Sequence, residues 1–191
     1  NKIQIDKSNF FDNNPIISIA NTKVGIKNIE LSIKGKPNLG NERYLTFAKL
    51  LKESRKSGAN LIVLPEFSVP FEFVSSLTKY SEKNQIAIIA GLEHWNVDNV
   101  CYNFIVSIIP IKVNGVNDVV VLYRLKNHYA HVEELIIRGY GYVVPKPEPY
   151  RYDLINWRNI YFSSYYCFEL ADTFHRSIFR SKIDLLIASE W

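Results

Sequence analysis

A chain of 191 residues that is 47% apolar and 22% charged has the size and make-up of one ordinary globular domain, which excludes a disordered chain, a collagen-like repeat and a disulfide scaffold. Lys and Arg exceed Asp and Glu by 23 − 19 = 4, an excess too small and too scattered to point to a nucleic-acid partner.

Taken in chain order, the opening Asn1–Asn14 is polar and lacks the apolar core of a signal peptide. It is expected to be an extension preceding a domain over residues 15–191. Pro15–Ala20 (PIISIA) is a short β-branched run suited to one buried strand. Asn21–Gly40, rich in Asn, Lys, Gly and Pro, reads as a connection. Arg43–Ser57 places Leu45, Ala48, Leu50 and Leu51 near helical spacing and meets Gly58 as its stop. Asn60–Pro65 (NLIVLP) is a continuous apolar strand of the kind buried on both faces. A helix over Glu72–Lys83 and a buried strand over Gln85–Gly91 come next. Cys101–Ile109 and Asp118–Arg124 flank Asn114-Gly115, a strong hairpin signal. Gly139–Asn156, broken by Pro145, Pro147 and Pro149, reads as an irregular loop. Asn159–Cys167 is strand-like, Leu170–Ser181 helix-like and Asp184–Ser189 strand-like. The alternation implies an α/β domain with a mixed sheet or paired sheets.

No apolar run reaches the roughly 18 to 20 residues that cross a bilayer, so no membrane partner is expected. Cys101 and Cys167 stand far apart without metal-ligand spacing, as befits reduced thiols in a cytoplasmic protein. His128, His131 and Glu133 supply too few ligands for a zinc site, and no cofactor is expected. The chain has no methionine and stops at Trp191, directly after a strand-like run. A segment of a longer protein is therefore expected, with the C-terminal part of the domain absent.

In α/β domains chemistry collects where buried strands end. One strand ends in Pro65-Glu66, another runs into Arg124-Leu125-Lys126, and a third ends at Cys167. Singly, each residue has a plainer explanation: a solvated loop carboxylate, a surface lysine, a packed thiol. The three together carry more. LIVLPEFSVP (Leu61–Pro70), VVVLYRLKNHYAHVEE (Val119–Glu134) and NIYFSSYYCFELADTFHRSIFRSKIDLLIASEW (Asn159–Trp191) resemble the three signature regions of the nitrilase superfamily of carbon–nitrogen hydrolases.

The resemblance implies an α-β-β-α sandwich and a triad at Glu66, Lys126 and Cys167. It also implies a supporting glutamate shortly after the lysine, where Glu134 fits best and Glu133 is the alternative. It further implies a small amide or nitrile substrate and a homodimer through the helix after the cysteine, here Leu170–Ser181. Backbone N–H groups from Phe168 onward are candidates for a second oxyanion donor, and Phe168 and Trp191 for substrate contact. The chemistry suits these residue types. A thiol near its ordinary pKa of about 8.5 is protonated at neutral pH and needs a base or a cation beside it.

Two departures stand out. Leu125 separates the lysine from Tyr123-Arg124, and Ser163-Ser164-Tyr165-Tyr166 replaces a glycine-containing approach to the cysteine. An extra strand residue would turn the lysine to the other face. The expectation is that pairing stops near Arg124 and the adjoining loop absorbs the shift, with Arg124 less important than Lys126. KNHYAHVEE and the closing ASEW are also similar to nitrilase-like domains fused to prokaryotic reverse transcriptases in antiphage defence. That implies the alternative of a weakly catalytic binding or dimerisation module.

Overall fold

The computed structural model describes residues 1–5 and 14–191. Along them run β1 (Lys2–Ile5), β2 (Ile17–Ile19), α1 (Ile26–Ile33), α2 (Asn41–Lys56), β3 (Leu61–Val69), α3 (Val74–Asn84), β4 (Ala87–Leu92), β5 (Trp95–Val97) and β6 (Val100–Tyr102). Then come β7 (Phe104–Val113), β8 (Val116–Leu125), α4 (His131–Gly139), β9 (Leu154–Trp157), β10 (Ile160–Tyr166), α5 (Thr173–Ser177) and β11 (Leu185–Ser189). Among the described residues, one sheet has the order β2-β3-β4-β7-β8 and a second the order β1-β9-β10-β11. β2, β3 and β4 are parallel, and β7 and β8 return antiparallel.

The two-residue period of a strand decides which layer each side chain joins. In the first sheet Ile62, Leu64, Ile88, Ala90, Leu92, Val106 and Ile108 face α2 and α3, where Phe47, Val74 and Leu77 meet them. The alternate residues Leu61, Ala87, Ile89, Ile105 and Ile109 face the second sheet and pack on Ile155, Trp157, Phe162, Tyr166 and Ile187. Burying each such side chain stabilises the fold by about 1.5–3 kcal/mol. The far face of the second sheet carries Tyr152, Leu154, Tyr165 and Phe179 with partly buried Leu170 and Ile178. The expected α-β-β-α sandwich therefore has a full helical layer on one side and a thin one on the other.

The hairpin forms as expected. Asn114 and Gly115 both take positive φ, 53° and 82°, the pairing that a tight two-residue turn demands, and Val113 sits opposite Val116. Other expectations are corrected. The presumed connection 21–40 contains α1, because Ile26, Ile29 and Ile33 recur at helical spacing and bury Ile29 and Ile33 against Phe67, Tyr129 and Ile137. The presumed loop 139–156 continues directly from α4 and holds β9 at its end. Cys101 belongs to β6, not to the long hairpin. Lys2–Ile5 is not an extension but a strand paired with Leu154–Trp157; the rest of that expected extension, up to residue 13, lies outside the described residues.

The helix expected over Leu170–Ser181, and with it the helix expected to carry a dimer, is not continuous. A single 3-10 turn (Cys167–Leu170) precedes α5, whose start is fixed by Asp172 accepting the His175 N–H at 3.1 Å. No described helix is long and apolar enough to cross a membrane.

Candidate active site

Glu66 sits where β3 breaks step with β4: their register shifts between Leu64 and Val69, and Phe67 takes a left-handed φ of 54°. The Ser68 hydroxyl donates to the Pro65 carbonyl at 2.7 Å, and the Glu66 N–H donates to the Glu190 carbonyl at 3.3 Å. These bonds turn the Glu66 carboxylate into the space between the sheets. Its backbone passes so close to Gly91 that a Cβ there would stand 2.6 Å from the Glu66 Cα.

Lys126 arrives from the other side. Pairing does not stop at Arg124, as expected, but runs on: Leu125 is opposite Phe104, and the Lys126 N–H still donates to the Asn103 carbonyl at 2.9 Å. Val120, Leu122 and Arg124 already face the second sheet, so Lys126, two residues on, faces it too. The extra residue needs no absorbing; it puts the lysine on the face of the sheet where Glu66 lies. Lys126 Nζ donates to Glu66 Oε1 at 2.6 Å and to Glu133 Oε2 at 2.5 Å. The rings of Phe67, Tyr129 and Tyr166 surround the ammonium at 5.2, 5.1 and 5.0 Å, where their faces attract a cation.

Of the two candidates for the supporting carboxylate, it is Glu133, the alternative, that lies against Lys126, and not the preferred Glu134. Glu134 points away and pairs with Arg138 at 2.6 Å on the exposed side of α4. Adjacent helical residues lie about 100° apart, so one of the two had to turn outward. The other oxygen of Glu133 meets His94 Nε2 at 3.2 Å. His94 is buried, stacks on Phe67 at 4.8 Å, and is a residue sequence reasoning missed. Its signal was its place two residues beyond the end of the buried strand β4.

Cys167 is exposed, whereas Cys101 is buried. The turn that carries Cys167 is tied to the lysine strand through Glu169, which sequence reasoning also missed. Glu169 accepts from both terminal guanidinium nitrogens of Arg124, at 2.8 and 2.7 Å. It also accepts the N–H of Asn127 at 2.7 Å and that of Tyr166 at 2.8 Å. Arg124 donates further to the Ser164 carbonyl at 2.9 Å. One buried carboxylate thus joins the residues flanking Lys126 and Cys167.

Burial pushes the Glu66 carboxyl up to about 7, helped by Glu133 and opposed by Lys126. Burial disfavours the Lys126 ammonium, but Glu133 and Glu66 outweigh it and hold its pKa above the ordinary value. Burial likewise works against ionised Glu133, yet the His94 hydrogen bond and Lys126 hold it below the carboxylate norm. Burial raises the Cys167 thiol, as do Glu190 and Glu66, with Lys126 opposing. The resting site is therefore a protonated thiol near a carboxyl that exchanges its proton around neutrality.

Glu66, Lys126, Glu133, Cys167, Phe168 and Trp191 all line one cavity of about 290 Å³. Phe168 and Trp191, the candidates for substrate contact, are thus both at the cavity that Cys167 lines. Trp191 packs edge-on to Phe67 at 5.9 Å and donates its indole N–H to the Val24 carbonyl at 3.2 Å. Among the described residues no cluster of His, Cys, Asp and Glu is arranged to hold a metal. His128 instead meets His175 at 3.0 Å, and His131 is exposed.

Neither a family model nor a curated protein matches this chain. Solved structures do. The NitN amidase from Nesterenkonia sp. AN1 matches with a TM-score of 0.58 at 13% identity, over 93% of this chain and 67% of that one. The same amidase with acrylamide added at its active-site cysteine gives 0.57 at 12% identity, with the same coverage. A cysteine mutant of it, described as from the nitrilase superfamily, gives 0.53 at 12% identity over 99% of this chain and 64% of that one. The expected fold is therefore the observed one, and the chain spans about two thirds of the length of these structures.

Proposed function

We propose that this chain hydrolyses a carbon–nitrogen bond, that of an amide, through a thioester on Cys167. The observation that carries the proposal is the Lys126 ammonium held between Glu66 and Glu133 in a cavity that Cys167 also lines. The fold is shared with an amidase whose active-site cysteine takes up acrylamide and the acetamide moiety of fluoroacetamide, which supports the same assignment of nucleophile.

In the first half-reaction Glu66 accepts the Cys167 proton and the sulfur attacks the carbonyl carbon. The negative oxygen that results is stabilised by Lys126, whose charge its two carboxylates maintain. Protonated Glu66 then gives its proton to the nitrogen as the carbon–nitrogen bond breaks, and ammonia or an amine leaves. In the second half-reaction Glu66 takes a proton from water, which attacks the thioester carbonyl. The carboxylic acid leaves and the proton returns to sulfur. A carboxyl that titrates near 7 suits a group that must take and give a proton in each cycle. His94 holds Glu133, and Glu133 holds Lys126. A nitrile could enter through the same attack on carbon, with the thioimidate nitrogen where the oxyanion would be. The narrower resemblance to reverse-transcriptase-linked domains finds no support in the structural matches.

The test is ammonia release from a panel of primary amides. Cys167→Ala is expected to abolish it, and Lys126→Ala to reduce kcat by about 100-fold or more, as for other oxyanion donors. Undiminished release by Cys167→Ala would refute the proposal.

A further inference from the structure

The cavity beside Cys167 is almost wholly hydrocarbon. Its lining includes Ile26, Ile29 and Ile33 of α1, Val132 and Ile136 of α4, and Trp191. Its ionisable lining groups besides Cys167 are Glu30, Glu66, Glu133 and Lys126. The one cation among them already answers two carboxylates at 2.6 and 2.5 Å. A substrate carboxylate entering here would meet three glutamates and no unengaged cation. An uncharged hydrocarbon would meet side chains that gain by covering it.

We infer that the substrate is the amide of an uncharged, apolar acid, its hydrocarbon tail lying between α1 and α4. The inference rests on the hydrolytic reading above, because that reading decides which half of the substrate fills the pocket. The acyl half stays bonded to Cys167 through both half-reactions, while the amine must escape to water after the first. A pocket formed around the sulfur therefore serves the acyl half, and contacts along the tail act in both steps. Neither α1 nor α4 was foreseen in the sequence; each brings its apolar stripe to the site through the packing of Ile29, Ile33 and Ile137 in one cluster.

The experiment is a chain-length series of primary amides, from acetamide through butanamide to hexanamide, monitored by ammonia release. Each buried methylene should raise kcat/KM by about fourfold, so hexanamide should exceed acetamide by about 100-fold or more, and adipic acid monoamide should be a poor substrate. Val132, 67% exposed, allows a change that spares the core. Val132→Lys should lower kcat/KM for hexanamide by about tenfold and raise it for adipic acid monoamide by a similar factor. Ile26→Lys, at another exposed wall position, should shift the preference in the same direction.

A series that is flat or falls with chain length, with turnover intact, overturns the apolar-acyl inference and leaves the hydrolytic reading standing. If no amide is turned over, the hydrolytic reading fails, and calorimetric binding to Cys167→Ala reads the pocket alone. Tighter binding of hexanamide than of acetamide then upholds the apolar site, and equal or absent binding overturns it.

Discussion

Gly91→Ala perturbs the site without replacing any reacting group. The added Cβ would stand 2.6 Å from the Glu66 Cα, 2.7 Å from the Ser189 Oγ and 3.0 Å from the Pro65 carbonyl oxygen. Ordinary contact begins near 3.4 Å, so the Glu66 backbone must retreat by 3.4 − 2.6 = 0.8 Å or β4 must move the other way. β4 is held between β3 and β7, with Gly91 opposite Ile105, and Ser189 is fixed by its bond to the Leu64 carbonyl at 3.1 Å. The bulge at Glu66, already out of register, is the part that yields. Overpacking of this kind costs about 1–3 kcal/mol, and a shift of about 1 Å at a reacting group costs about 100-fold in rate. Gly91→Ala should therefore remain folded at 25 °C, lose about 1–3 kcal/mol in urea denaturation, and lose about 100-fold in kcat for amide hydrolysis. A stability loss below about 1 kcal/mol together with a kcat within about twofold of the unaltered protein would refute the idea that this glycine lets Glu66 approach.

The Arg124–Glu169 pair is buried and bonded through both terminal guanidinium nitrogens, so Arg124→Ala strands a carboxylate and should cost about 3–5 kcal/mol in denaturation; a loss below about 1 kcal/mol would contradict the role given to it. The expectation that Arg124 matters less than Lys126 concerned the rate of hydrolysis, and this stability cost stands beside it. The Glu66 carboxyl, raised from 4.5 to about 7, binds its proton more tightly in the folded state. Its contribution to stability is full below pH 4.5 and is lost as pH rises through 7. The unaltered protein should lose stability relative to Glu66→Gln across that window, while its kcat/KM rises through an apparent pKa near 7. Parallel stability curves, or an activity that falls across the same window, would contradict the assignment. Limiting iodoacetamide should modify Cys167 before Cys101, which burial raises to about 12; peptide mapping with the reverse order would contradict the geometry.

The residues legible in the sequence are those whose chemistry derives from where a strand ends. NLIVLP announces a doubly buried strand, and Glu66 stands directly after it; the Tyr166-Cys167 junction is similar. Asn114-Gly115 fixes the hairpin whose second strand delivers Lys126. Legibility fails where a helix is short and its polar face dominates. GIKNIELSIKG reads as a connection because Lys, Asn and Gly interrupt it, yet Ile26, Ile29 and Ile33 form the stripe that walls the cavity. Without a helix starting at His131, nothing tells Glu133 from Glu134, since only the direction of each around the helix separates them. His94 and Glu169 draw their roles from partners 39 and 45 residues away, a pairing that no local pattern encodes. The Leu125 insertion looks like a defect until strand parity shows that Arg124 and Lys126 share a face.

The central claim is that Cys167 is acylated by an amide with help from Glu66 and Lys126. Rapid acid quenching during hexanamide turnover, with peptide mass mapping of the quenched protein, tests it most directly. A hexanoyl mass is expected on the peptide containing Cys167, with no such adduct in Cys167→Ala and far slower formation in Lys126→Ala. The absence of an acyl mass at Cys167 during active turnover, or its presence on another residue, would contradict it.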